Sequence, residues 1–348
     1  MLTTTLGPVD RTLLGEIQLH VPIIRRPFQV LGEKFGLSEQ QCLERIHGLK
    51  AAQLIRQLSG ILDAPALGYH ITRVAMKVDI ARVEEAARLI RQYPGVFHLE
   101  SRNDAFNVWV GIAVPPSDAF EQVVKILQTL AQADEVIALP ALRVYKRGPK
   151  RDPIDQGGVF DDPLEMDEML PQTGVRSQVS ESDIRLFRIV QEELPLLEMP
   201  YAVWAEQAEL TEEALFAWLK KMQHVGYLRR IAAIPIRHNE THPASTMLVW
   251  QVPQEQTDTI GEQMALFREV NHCSRRPIFP HWPYSLFTLI RAESPAACIH
   301  VVKRMEERIG QFPHKHLFTT KEYQRAVVKF FSPQLERWWE EIGSKVSY

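Results

Sequence analysis

Apolar positions along this chain follow two rhythms, and the two alternate in the same order twice. Leu13, Leu14 and Ile17 follow Asp10 at helical spacing, with Asp10 placed to cap the helix. A second short helix runs from Pro27 to Phe35 and stops at Gly36. Ser38 then stands at an N-cap position with Gln41 three residues on, the spacing of a capping box, ahead of Cys42, Leu43, Ile46 and Leu49. With a short β-ribbon from Leu54 to Ile61, residues 8–62 form a winged helix-turn-helix. From residue 68 the pattern changes to strand 71–78, helix 80–92, strands 95–101 and 105–114, helix 117–132 and strand 136–146. That order, βαββαβ, predicts a ferredoxin-like domain over 68–147.

The same text is then written again. Asp10, Pro22 and Pro27 match Asp183, Pro195 and Pro200 at an offset of 173 residues, and Ser38 meets Thr211. The offset becomes 174 at Val78/Val252, His98/His272 and Arg102/Arg276, and 178 at Trp109/Phe287, Leu139/Leu317 and Tyr145/Tyr323. The last step places a four-residue insertion within Pro277 to Pro283. A period this long, kept over so many positions, marks a tandem duplication. The second winged helix-turn-helix therefore spans 182–236. The second ferredoxin-like domain spans 244–332, with strands and helices at 245–252, 254–268, 269–276, 283–291, 294–310 and 317–331. Residues 148–181, rich in Pro, Gly and acids, read as a linker, and 333–348 as a C-terminal tail. The expected class is α+β, a tandem repeat of winged helix-turn-helix and ferredoxin-like units. An edge strand on such a sheet invites pairing, so the two halves are expected to dock as an internal pseudo-dimer, with a homodimer open beyond that.

Composition narrows the classes. A charged fraction of 24% and apolar fraction of 45% suit a water-soluble globular chain, and a net charge of -3 gives no general attraction to nucleic acid. No apolar run approaches the ~20 residues that span a bilayer, and Met1 to Thr5 lack a signal-peptide build. Cys42, Cys273 and Cys298 form no CxxC, so neither a disulfide framework nor a cysteine metal site is expected, and a cytoplasmic location follows as the default.

The candidate chemistry is a doubled motif. Val96-Phe97-His98-Leu99-Glu100-Ser101-Arg102 returns as Val270-Asn271-His272-Cys273-Ser274-Arg275-Arg276. Strand residues four apart share a face, so each histidine should lie beside its arginine. No HxH or HxxxH accompanies either motif, and no glycine-rich phosphate loop is present, so a metal site of the protein's own is not expected. His with Arg suits anionic substrates: the guanidinium clamps carboxylates and the imidazole delivers a proton near neutral pH. Arg56, Arg229, Arg230 and Arg73 add cationic candidates for substrate binding, and Trp109, Tyr284, Phe279, Trp282 and Phe287 add flat apolar ones. A site apolar on its faces and cationic at its rim suits a tetrapyrrole with many carboxylates.

A winged helix-turn-helix before a ferredoxin-like domain is also the build of leucine-responsive transcription regulators. Their third helix would read DNA, but here the second copy opens that helix with Glu212 and Glu213, which repel phosphate. The chain more closely resembles the siroheme decarboxylases, relatives of those regulators that work in heme d1 biosynthesis and the siroheme-dependent heme pathway. The resemblance is carried by Ile17-Gln18 to Pro22, by Arg26-Pro27-Phe28 and by Arg56 to Leu67-Gly68-Tyr69. It continues in Val96 to Trp109, Leu139-Pro140, Arg143 to Lys146 and Thr320 to Tyr323. It covers nearly the whole chain except the linker, in the manner of a fused pair of subunits. Glu100 stands where the family more often has an aromatic residue, and the second copy has Met199 in place of Arg26.

The resemblance implies a carboxy-lyase that removes CO2 from the C12 and C18 acetates of siroheme to give 12,18-didecarboxysiroheme. No cofactor is implied beyond the iron that the substrate carries, and other tetrapyrrole-pathway enzymes are the expected protein partners. His98 and His272 become candidate proton donors, with contact to the siroheme iron a further expectation. Arg102 and Arg276 become anchors for carboxylates that stay, since an arginine gripping the departing group would stabilise the ground state. The alternatives are a ligand-sensing DNA-binding regulator and a heme carrier without chemistry.

Overall fold

The computed structural model describes residues 6–116, 120–147, 179–236 and 244–343, so the expected linker lies almost wholly outside the described residues. The chain divides into two compact units that are not its two copies. One gathers both helix-turn-helix segments with Lys329–Phe331, and the other gathers both ferredoxin-like segments with the C-terminal residues.

In the first unit, helices α1 (Pro8–Leu19), α2 (Pro27–Glu33) and α3 (Glu39–Ala51) lead into strand β1 (Ile55–Leu62). Ser38 and Gln41 form the capping box of α3 that their spacing predicts, and Gly36, at φ 66°, makes the turn ahead of it. Asp10 is not the cap of α1. That helix starts earlier, with Pro8 in its first turn, and Asp10 instead accepts a hydrogen bond from Arg45 Nη1 at 2.7 Å. The wing also departs from expectation. Each copy contributes one strand rather than a ribbon, and β1 pairs antiparallel with its counterpart from the second copy, Leu228–Pro235. A lone strand leaves its N–H and C=O groups unmatched, and the duplicate satisfies them.

The second unit repeats this logic on a larger scale. The first copy supplies β2 (His70–Lys77), α4 (Val83–Ile90), β3 (Val96–Arg102), β4 (Val108–Val114), α5 (Phe120–Ala131), β5 (Glu135–Leu139) and β6 (Arg143–Arg147). In the helical unit, α6 (Glu181–Val190), α7 (Pro200–Ala208), α8 (Glu212–His224) and β7 (Leu228–Pro235) precede the second copy's sheet segment. Thr211 caps α8 as its spacing predicts. The sheet segment then supplies β8 (Ala244–Trp250), α9 (Thr257–Ala265), β9 (Val270–Arg275), β10 (Leu286–Ala292), α10 (Pro295–Ile309), β11 (His314–Leu317) and β12 (Thr319–Arg325).

The single last strands expected at 136–146 and 317–331 are each broken in two. Pro140, which has no N–H to give to a ladder, separates β5 from β6. The first half of each broken strand stays in its own sheet and the second half crosses to the other, giving sheet orders β12-β3-β4-β2-β5 and β11-β8-β10-β9-β6. The exchange is locked by matched contacts. Lys321 Nζ and Tyr323 Oη of β12 reach Glu84 on α4 at 2.8 and 2.9 Å. Arg143 and Tyr145 of β6 reach Asp258 on α9.

The sheets bury one face against each other. Ala75, Trp109, Ile137 and Leu139 of one pack with Val249, Phe287 and Leu317 of the other. The insertion loop adds Trp282, 1% exposed, with its ring centroid 5.6 Å from that of Trp109. The opposite face of the second sheet packs under α9 and α10 through Trp250, Met264 and Met305. The expected C-terminal tail is also structured: α11 (Pro333–Trp338) sets Trp338 against Tyr93, centroids 4.6 Å apart.

One polar contact is built twice by different chemistry. The buried Asn107 side chain accepts from Val78 N–H at 3.0 Å and donates to Val78 C=O at 2.7 Å. Ser285 at the matched position does the same for Val252 through one hydroxyl. Asn107→Leu strands both Val78 groups away from water and should lower the unfolding free energy by about 2–4 kcal/mol, read from urea denaturation. A loss below ~0.5 kcal/mol would show that water replaces the amide.

Candidate active site

The pleat of β3 aims His98, Glu100 and Arg102 at one face, as the four-residue spacing predicts, and Glu100 connects the other two. Arg102 donates to Glu100 Oε1 through Nε at 2.8 Å and also through Nη2, while His98 Nε2 lies 3.8 Å from Glu100 Oε2. Neighbouring strands complete the cluster. From β2, Arg73 Nη1 lies 3.3 Å from His98 Nδ1. From the exchanged β12, Glu322 Oε2 and Arg325 Nη2 each lie 3.4 Å from His98 Nε2, and Arg325 is the cross-strand partner of His98. Thr319 Oγ1 donates to Glu100 Oε2 at 2.6 Å. Phe97 sits at a bulge beside His98, its ring so close over Gly111 that a Cβ there would lie 2.5 Å from it. A side chain at Gly111 would displace that ring and disturb the bulge next to His98.

His98 is 7% exposed, and burial is the strongest influence on it, pushing its pKa down. Glu322 and Glu100 oppose that shift, while Arg73 and Arg325 add to it. For Glu100 burial raises the pKa, but Arg102, His98 and Arg73 outweigh it and hold the carboxyl at about 2. This is a buried, charged, fully hydrogen-bonded group of the kind that functional sites assemble.

Arg102 and Arg276 share an architectural role. Arg102 Nη1 donates to Leu317 C=O at 3.3 Å, and Arg276 Nη1 donates to Leu139 C=O. Each guanidinium thus holds the residue where the other copy's chain leaves its own sheet. Arg102 also stacks over Trp109 at 4.9 Å and Arg276 over Phe287 at 5.0 Å.

His272 is half-buried on β9, opposite Leu289 and Arg147. Trp109 lies within the inter-sheet core, its indole N–H bonded to Phe106 C=O at 2.7 Å, and Tyr284 packs at its margin under Lys315. Arg56, Arg229 and Arg230 belong to the helical unit. There Arg229 is engaged by Asp63 through Nε at 2.9 Å and Nη2 at 2.8 Å, Arg230 sits on β7 opposite Ile61, and Arg56 sits at a β1 bulge. A cavity of about 710 Å³ opens near Ser101, Lys321 and Tyr323. Ser101 alternates with His98 and Glu100, so this space lies on the helical side of the sheet. Glu322 and Arg325 were absent from the sequence-derived candidates, although Arg325 matches Arg147 at the 178-residue offset. Among the described residues no group of side chains is arranged to hold a metal ion, and no helix is long and apolar enough to cross a membrane.

The class of protein is now defined. Residues 66–146 and 242–324 match the AsnC-like ligand binding domain, and residues 10–56 and 183–229 match the siroheme decarboxylase NirDL-like HTH domain. A siroheme decarboxylase of Hydrogenobacter thermophilus is 29% identical over 333 residues, covering 95% of this chain and 98% of that one. The siroheme decarboxylase beta subunit of Methanosarcina barkeri is 35% identical over 152 residues, covering 43% of this chain and 99% of its own. A crystal structure of the siroheme decarboxylase NirDL superposes with a TM-score of 0.78 at 27% identity, over 98% of this chain and all of that one. A second, at 0.77 and 26%, holds an iron-uroporphyrin III analogue. The chain belongs to the siroheme decarboxylase family.

Because Glu100 titrates far below the ordinary carboxylate range, its contribution to stability is present above about pH 4.5 and is lost as pH falls toward 2. Wild type should therefore lose unfolding free energy more steeply than Glu100→Gln between those values. Urea midpoints measured across that window check it; parallel curves would mean that the ion pair contributes nothing.

Proposed function

We propose that this chain is a siroheme decarboxylase, removing CO2 from the C12 and C18 acetates of siroheme to give 12,18-didecarboxysiroheme. What carries the reading is the match to siroheme decarboxylases along almost the whole chain, together with a buried histidine set among arginines and carboxylates on β3. In each round the bond between the acetate methylene and its carboxyl carbon breaks, and the electron pair passes into the conjugated macrocycle. A proton then returns to the methylene and leaves a methyl group. His98 and His272 are the candidate donors. Arg73 and Arg325, beside the imidazole, suit a carboxylate-rich macrocycle. Arg102 and Arg276 act in our reading by fixing the strands that carry the histidines, and only secondarily as carboxylate anchors. No cofactor is needed in this scheme, since the iron belongs to the substrate.

The regulator reading is weakened by one contact in the helical unit. Arg25 binds Glu212 and Glu213, at 3.0 Å each, at the start of the second copy's third helix. The end that would face DNA phosphate thus presents carboxylates already tied to the other copy.

Anaerobic incubation with siroheme should yield products lighter by one and then two CO2, followed by mass spectrometry. His98→Ala should slow turnover by at least ~100-fold, the usual weight of a general acid. Unchanged siroheme with well-folded wild type would sink the enzyme reading, and bound but intact siroheme would favour a carrier. A salt-sensitive nanomolar shift of a DNA fragment would favour a regulator.

A further inference from the structure

The two copies differ in the residues around their histidines. The strands packed on His98 present Arg73 from β2, Glu100 and Arg102 from β3, no charge from β4, and Glu322 and Arg325 from β12. At the matched positions around His272 stand Met247, Ser274, Arg276, Val144 and Arg147. Two of the three arginines recur, as Arg276 and Arg147, whereas Arg73 gives way to Met247 and both carboxylates are replaced by uncharged residues. Ser274 is fully buried with its hydroxyl unpartnered, whereas Glu100 is held by Arg102 and Thr319.

Glu322 also differs from Glu100 in where it stands. Its side chain is 46% exposed while that of His98 is 9% exposed, so one carboxylate touches both the buried imidazole and water. Arg325, three residues further along the same strand, donates to it through Nε at 3.1 Å. A donor that must act twice per substrate has to be recharged from solvent between rounds. Glu100 cannot serve, because it is buried and committed to Arg102 and Thr319.

We infer that Glu322, delivered by the exchanged strand of the second copy, is the positioning residue that orients His98, favours its protonated form and links it to solvent. His98 is then a proton donor whose charge is governed from the other copy. The inference rests on the decarboxylase reading but can fail separately from it. In each round the proton leaves His98 for the substrate methylene, and the neutral imidazole is reprotonated from water alongside the Glu322 carboxylate. No electron is gained or lost by the protein. The exchange of strands is thereby part of the active site: the histidine comes from one copy and the group that charges it from the other.

The variant Glu322→Gln keeps the shape and removes the charge. Removing a carboxylate that favours the imidazolium must move the alkaline limb of kcat to lower pH. The rate should fall several-fold along the alkaline limb and recover toward wild type only as pH drops below the His98 titration, which burial sets beneath the ordinary histidine range, with KM little changed. A merely structural role would lower the rate equally at all pH. A second measurement needs no substrate: ¹⁵N NMR titration of the histidines in the full chain, with the His98 signal identified by its loss in His98→Gln. That signal should titrate at lower pH in Glu322→Gln than in wild type. An unmoved alkaline limb, or a His98 titration that stays in place, overturns the inference. If wild type leaves siroheme intact, the decarboxylase reading fails, while the titration still decides whether Glu322 governs His98.

Discussion

The crossing of β6 and β12 between the two sheets is the constraint on which the rest of this structure depends. Each copy ends in a strand that its own sheet does not keep, broken at Pro140 in the first and after Leu317 in the second. A ferredoxin-like sheet left without that strand has an open edge along β3 or β9, the strands that carry the histidines. The other copy closes that edge. Its closure brings Glu322 and Arg325 to His98, and Arg147 to a position opposite His272. Arg102 and Arg276 hold the two crossing points through Leu317 and Leu139.

Burying so many charges is costly, and hydrophobic residues of similar volume would commonly serve stability as well or better. The second copy shows that replacement in part, with Met247 and Val144 at the positions of Arg73 and Glu322. The fold tolerates either set, so the charges around His98 are not explained by stability. On the proposed function they serve the chemistry at His98. Duplication within a single chain makes this specialisation straightforward, because the two edges need no longer answer to one sequence.

Much of this was legible in the residues. The repeat offsets gave the tandem architecture, and capping at Ser38 and Thr211 placed the third helices. The spacing of His98 and Arg102 placed them on one face. What escaped were features fixed by partners distant in sequence. A strand pattern does not reveal which sheet it joins, so β6 and β12 read as continuations of β5 and β11, and nothing in the pattern pairs Glu322 with His98. The wing strands read as ribbons for the same reason. Trp282 lies in an insertion, where loops are normally exposed, yet the gap between the two sheets takes its ring. Trp109 offers both a core and a pocket-wall reading, because nothing local distinguishes a buried aromatic from a lining one, and the inter-sheet packing makes it core.

The most direct test of the account is a single anaerobic turnover of siroheme in D2O, comparing wild type with His98→Gln. Wild type should place one deuterium in each new methyl group as each CO2 leaves, and His98→Gln should bind siroheme but fail to form that product at a comparable rate. Deuterated product from His98→Gln at the wild-type rate would contradict it.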